Sequence, residues 1–120
     1  MKNIMSDERI NQFIDGVICT KTGVMKCCNV LLKKEECVFD EISMITTFNS
    51  ENDGGQCKED EIMIRMAFPG YEEEVVCLKY IEFLSLVQQG IEKNINYYSL
   101  ADRKEIEDMF STIKTHYYVI

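Results

Sequence analysis

The chain has little of what catalytic and metal-binding proteins use. Its 120 residues include a single histidine, His116, and its six cysteines form no Cys-x-x-Cys pair. A nucleophilic hydrolase needs a base beside its nucleophile, usually histidine, and a zinc site needs cysteines or histidines at short spacing. The motifs GxSxG, GxGxxG and GxxxxGK[ST] are also absent. We therefore expect a protein that is not an enzyme and that has no cofactor and no metal site.

Proline and long apolar runs are scarce as well. One proline and six glycines predict long stretches of regular structure. No apolar run approaches the roughly 20 residues that span a bilayer. The opening residues resemble no secretion signal, because Asp7 and Glu8 follow a segment without an apolar core. We expect one domain over residues 1–120, located in the cytoplasm, where cysteines stay reduced.

Positive charge is in deficit. The chain has 13 basic and 21 acidic residues, for a net charge of -8. Such a charge repels nucleic-acid phosphates and anionic membranes, which argues against both as direct partners. It favours a basic protein partner, with simple solubility as the alternative explanation.

Apolar residues at helical spacing predict two helices at the start of the chain and two at its end. The first pair covers about residues 6–19 and 24–34, and the second pair about residues 79–93 and 99–115. The second helix carries Cys27 and Cys28 on its apolar stripe. A cysteine thiol behaves as a small hydrophobe, so we expect both in the core and not in redox chemistry.

Strand patterns occupy the middle of the chain. Residues 37–48 are rich in β-formers, residues 61–68 alternate strictly, and residues 73–78 follow a turn at Pro69-Gly70. Neighbouring strands joined by short turns predict an antiparallel meander. The predicted fold class is α+β, with two N-terminal helices, a small antiparallel three-stranded sheet and two C-terminal helices.

The loop between the first two predicted strands partly matches a calcium-binding loop. Oxygen-bearing side chains occupy positions 1, 3, 5 and 12 of such a loop, and glycine occupies position 6. These residues are Asn49, Glu51, Asp53, Asp60 and Gly54. The flanking segments favour strands where a calcium-binding hand needs helices, so a plain acidic loop is the alternative to a calcium-responsive module.

Acidic residues cluster near the predicted strand ends. If these ends lie together, their carboxylates form one negative surface that steers and orients a basic partner. Scattered solvated acids are the alternative. The candidate partner-binding residues are Asp40, Glu41, Glu51, Asp53, Glu59, Asp60, Glu61, Tyr71, Glu72 and Glu73.

Several segments together resemble the immunity proteins of contact-dependent growth inhibition systems that neutralise ribonuclease toxins. The resemblance lies mainly in residues 61–107. It comprises a strand (Ile62-Met63-Ile64-Arg65-Met66), the segment Glu72-Glu73-Glu74-Val75-Val76-Cys77-Leu78, an aromatic helix start (Tyr80-Ile81-Glu82-Phe83-Leu84) and a charged last helix (Asp102-Arg103-Lys104-Glu105-Ile106-Glu107). The opening Ile10-Asn11-Gln12-Phe13-Ile14-Asp15-Gly16 is similar too. One departure is that Lys79 and Tyr80 follow Leu78 directly.

The resemblance implies a cytosolic antidote that binds a basic ribonuclease toxin domain, blocks its active site and catalyses nothing. Charge alone does not supply the affinity that this requires, so a few buried anchors are expected at the centre of the interface. Phe48, Phe68 and Tyr71 are the candidates, with core packing as the alternative for the two phenylalanines. The competing hypothesis is an acidic regulatory or adaptor domain with an unrelated partner.

Overall fold

The computed structural model describes residues 3–39, 43–47, 57–67, 70 and 72–117. The fold is α+β. The elements are β1 (Asn3–Ile4), α1 (Asp7–Ile18), α2 (Lys21–Lys33), β2 (Cys37–Val38), β3 (Ser43–Thr47), β4 (Glu61–Met66), β5 (Glu74–Lys79), α3 (Tyr80–Lys93) and α4 (Leu100–Tyr117). In the sequence, the expected first pair of helices precedes strands β2–β5 and the expected second pair follows them. A short 3-10 turn, Ile95–Tyr97, precedes α4.

The sheet has five strands in the order β1-β5-β4-β3-β2, where the sequence predicted three. The predicted antiparallel meander is present as β3-β4-β5. The predicted strand over residues 37–48 divides into β2 and β3, which pair antiparallel to each other. At the other edge β1 pairs parallel to β5, and the Met5 N–H extends this pairing by donating to the Val75 carbonyl.

Side-chain caps explain where the helices begin. Ser6 Oγ accepts a hydrogen bond from the Arg9 N–H at α1, and Thr20 Oγ1 accepts one from the Gly23 N–H at α2. These bonds satisfy backbone donors that have no partner within the first turn of a helix. Only Cys19 and Thr20 lie between α1 and α2, so a tight turn connects the two helices.

The core lies between the helices and one face of the sheet. Ile62, Ile64 and Met66 of β4 point into it, as their alternation predicts. Cys27 and Cys28 are fully buried there, which confirms them as core residues. Among the described residues, no helix combines the length and the apolar character needed to cross a bilayer.

Two tyrosine hydroxyls donate hydrogen bonds to carbonyls at the C-terminal ends of α1 and α2. The Tyr98 hydroxyl donates to the Ile18 carbonyl of α1, and the Tyr117 hydroxyl donates to the Leu31 carbonyl of α2. The last carbonyls of a helix have no partner within it. Burial raises the pKa of both phenols to about 12, so both hydroxyls keep their protons at neutral pH.

The buried thiols of α2 predict a loss of stability in alkaline solution. Burial raises the pKa of Cys27 well above its ordinary value and that of Cys28 to about 12. Below the unfolded-state pKa of about 8.5 both states are protonated and stability is at its full value. Above it only the unfolded chain loses these protons, so the free energy of unfolding falls by about 1.4 kcal/mol per pH unit for each buried thiol until the folded pKa is reached.

Urea unfolding of the reduced protein between neutral pH and about pH 9.5 measures this slope before the tyrosines of the unfolded chain, with an ordinary pKa of about 10, ionise to a large extent. A Cys28→Ala variant should show a shallower slope, while Cys19→Ala should keep the wild-type slope because Cys19 is exposed. A stability that does not change across this range would contradict the prediction.

Candidate protein-binding surface

The predicted acidic residues fall into two groups at opposite ends of one hairpin. Glu59, Asp60 and Glu61 lie at the start of β4, and Glu72 and Glu73 lie just before β5. Because the strands are antiparallel, Glu61 is opposite Lys79 while Glu74 is opposite Met66 at the far end. The length of β4, about 17 Å, therefore separates the described acids of one group from those of the other.

The remaining predicted positions lie outside the described residues. These are Asp40, Glu41, Glu51, Asp53 and Tyr71, together with the candidate anchors Phe48 and Phe68. Of the calcium-binding match, only Asp60 is described. Within the described part of the chain, no group of three or more His, Cys, Asp or Glu side chains is arranged to hold a metal ion.

Ion pairs neutralise some acids at the far end of the hairpin. Glu73 Oε1 lies 3.1 Å from Arg65 Nε, and both side chains are mostly covered. Glu74 Oε1 lies 3.3 Å from Arg9 Nε of α1, which ties this helix to the sheet. Glu72 is exposed. This end of the hairpin therefore presents less negative charge than its sequence indicates.

The other acidic group forms a well-anchored turn, Lys58–Glu61. The Glu61 N–H donates to the Lys58 carbonyl, and the Lys58 N–H donates to Glu61 Oε1, both at 3.0 Å. The Asp60 carbonyl accepts a hydrogen bond from the Tyr80 N–H at 2.9 Å, which joins the turn to the start of α3. Glu59 and Asp60 are exposed on this turn. These hydrogen bonds hold the backbone from which the Glu59 and Asp60 side chains project.

A cavity of about 530 Å³ opens beside this turn. Tyr80 and Tyr117 stack there with ring centroids 6.0 Å apart, and Lys34 Nζ lies 5.4 Å from the Tyr80 centroid. Burial, and to a smaller degree nearby Cys57, raises the pKa of Tyr80, so its hydroxyl is uncharged at neutral pH. Lys58 and Lys79 also line the cavity, so its rim carries both signs of charge.

A second cavity, of about 540 Å³, lies in the groove between α1 and α3. Its apolar lining comes from four side chains, Ile10, Leu78, Ile81 and Leu86. Asp7 and Glu82 add negative charge, and none of the described residues that line this groove is basic. Asp7 lies in the first turn of α1 and Glu82 in the first turn of α3, where the helix dipole stabilises carboxylates. An apolar groove with acidic sides suits a basic partner that also presents an apolar side chain.

Ile81 lies between the two cavities and lines both. Its side chain is 47% exposed, although it is a large aliphatic residue in the first turn of a helix. We call the two cavities, the Lys58–Glu61 turn and Ile81 together the Ile81 surface. It contains Glu59, Asp60 and Glu61 of the predicted site. It also contains Asp7, Glu82 and Ile81, which are not among the residues that the sequence predicts.

His116 is exposed near the end of α4, with its ring 4.9 Å from that of Tyr117 in an edge-to-face contact.

The chain matches no protein-family model, no curated protein and no solved structure.

Proposed function

We propose that the protein is a cytosolic immunity protein that binds a basic toxin domain, most simply a ribonuclease, and blocks its active site without catalysing a reaction. The observation that carries the proposal is the Ile81 surface, where an exposed aliphatic side chain lies between an acid-lined groove and an anchored acidic turn. The net charge of -8 and the sequence resemblance in residues 61–107 support the same function.

The surface has the components that a tight complex needs. A nanomolar complex corresponds to about -12 kcal/mol and usually buries about 1,600 Å² in total. Most of that energy comes from a few desolvated anchors, and charges add orientation and a fast encounter rate. Ile81 and the groove floor provide the apolar part. In the groove, Asp7 and Glu82 provide charge complementary to a basic cleft. On the turn, Glu59 and Asp60 add negative charge beside Lys34, Lys58 and Lys79.

The test is a pull-down of the tagged protein with the product of the gene immediately upstream, followed by a ribonuclease assay with and without the protein. We expect a stoichiometric complex and loss of RNA cleavage at equimolar protein. A heat-unfolded sample of the same protein is the control, since it has the same charge and no folded surface.

Two outcomes would contradict the proposal. If nothing binds, the resemblance to immunity proteins is misleading and the alternative, an acidic adaptor domain with an unrelated partner, takes its place. If a complex forms and cleavage continues, the protein binds without neutralising, which is the behaviour of the alternative, an acidic adaptor domain.

A further inference from the structure

Two cysteines that are distant in the sequence meet on the face of the sheet opposite the helices. Cys57 Sγ lies 3.2 Å from Cys77 Sγ, and both residues are in the thiol form. Cys77 is on β5 opposite Met63 of β4, whose side chain is fully buried. Cys57 is 5% exposed and immediately precedes the Lys58–Glu61 turn. The contact therefore joins the chain that leads into the acidic turn to an inner strand of the sheet.

The other four cysteines make no sulfur–sulfur contact of this kind, although Cys28 and Cys37 lie near enough to Cys27 to add to the rise that burial causes in its pKa. Cys27 and Cys28 are adjacent in α2 and fully buried, and burial raises the pKa of both, which disfavours the reactive thiolate. Cys19 is exposed, and its thiol donates to the Gly16 carbonyl of α1. Cys37 is half-buried on the helix-covered face of the sheet. Among the six, Cys57 and Cys77 have the geometry that favours oxidation to a disulfide.

We propose that Cys57 and Cys77 are a modification site, and that in the folded chain they form a reversible disulfide by exchange with a disulfide oxidant of the oxidised-glutathione class. A disulfide bond is about 2.0 Å long, so the sulfur atoms need to approach by only about 1 Å. Two cysteines already in contact close this bond without searching for each other, which gives the reaction a high effective concentration. The proposal does not depend on the proposed function.

The reaction proceeds by two thiol–disulfide exchanges. Cys77 is the more exposed of the two; it loses its proton, and the thiolate attacks one sulfur of the oxidant. The oxidant's S–S bond breaks, one glutathione thiolate leaves and takes up a proton, and Cys77 carries a mixed disulfide. Cys57 then loses its proton, and its thiolate attacks the Cys77 sulfur. The mixed disulfide breaks, and the second glutathione leaves as a thiolate that takes up a proton. The two protein thiols are oxidised by two electrons, and one disulfide oxidant is reduced to two thiols.

The test maps disulfides in the full chain. The reduced, folded protein is incubated with oxidised glutathione, remaining thiols are blocked with iodoacetamide, and the digest is analysed by mass spectrometry. We expect a Cys57–Cys77 linked peptide as the main product, with two of the six cysteines protected from alkylation. The same incubation in urea removes the folded geometry, so the links should spread over several pairings there.

Serine variants provide the matched controls. Cys57→Ser and Cys77→Ser should each lose the internal disulfide, while Cys19→Ser should form it as the wild type does; circular dichroism checks that each variant is folded. The proposal is overturned if the folded wild type keeps all six thiols, if its main link joins other cysteines, or if folded and urea-treated samples give the same distribution of links.

Discussion

Replacing Gly23 with alanine should destabilise the protein severely, because there is no space for one more carbon atom at this position. A Cβ at Gly23 would lie 1.7 Å from the Val17 carbonyl oxygen and 2.8 Å from its carbon. Both are backbone atoms of α1, so no side-chain rotation relieves the clash, and the corner between α1 and α2 has to open. Overpacking of this kind costs about 3 kcal/mol, a large part of the 5–15 kcal/mol that holds a typical domain folded.

Two other helical glycines, with more space for an added Cβ, provide comparisons for Gly23→Ala. At Gly16 an added Cβ meets nothing within 4 Å, so Gly16→Ala should stabilise the protein by about 0.5–1 kcal/mol through helix propensity. At Gly90 the nearest atom is the flexible Cδ1 of Ile18 at 2.7 Å. The stability of the Gly90→Ala variant should therefore lie between those of Gly23→Ala and Gly16→Ala. Thermal and urea unfolding of the three variants measure their order of stability. A Gly23→Ala protein as stable as the wild type would show that α1 and α2 are less closely packed than described.

The second large effect is expected on binding. Ile81→Arg places a positive charge at the centre of the Ile81 surface and removes its exposed aliphatic anchor. Against a basic toxin we expect affinity to fall at least about 100-fold, which corresponds to about 2.7 kcal/mol. Isothermal titration with the purified toxin measures the dissociation constant, and circular dichroism confirms that the variant is folded.

Leu100→Arg is the matched control for this variant. Leu100 is 80% exposed and begins α4, as Ile81 lies in the first turn of α3. Both variants therefore change the net charge equally and place arginine against a helix N-terminus. Equal losses of affinity would mean that the overall charge of the protein, and not the Ile81 surface, determines the affinity. If only Leu100→Arg weakens binding, the toxin contacts another surface.

Periodicity predicted the elements with a long repeating pattern and missed those without one. α1, α2, α3 and β4 carry several turns or alternations, and the structure confirms them. β1 has two residues and therefore no period, and its pairing with β5 is set by tertiary contact. Residues 37–48 show continuous β-forming character, which does not reveal that they contain two strands, β2 and β3, that pair antiparallel.

The candidate site was harder to predict than the fold, because a binding surface depends on which elements become neighbours. Runs of acids are visible in the sequence, but the antiparallel pairing of β4 and β5 separates Glu59–Glu61 from Glu72 and Glu73. Conversely, Asp7 and Glu82 are far apart in the sequence and line the same groove. In the sequence, an acid in the first turn of a helix is explained by the helix dipole alone, so neither of these two indicated a shared site.

The tyrosine hydroxyl bonds bear on how the protein folds during synthesis. Tyr98 and Ile18 are 80 residues apart, and Tyr117 and Leu31 are 86 apart. When α1 and α2 leave the ribosome, the hydroxyls that cap them have not yet been made, and neither has β5, the partner of β1. A nascent chain therefore carries an incomplete helical hairpin until α4 has been made, and its cooperative folding waits for that helix.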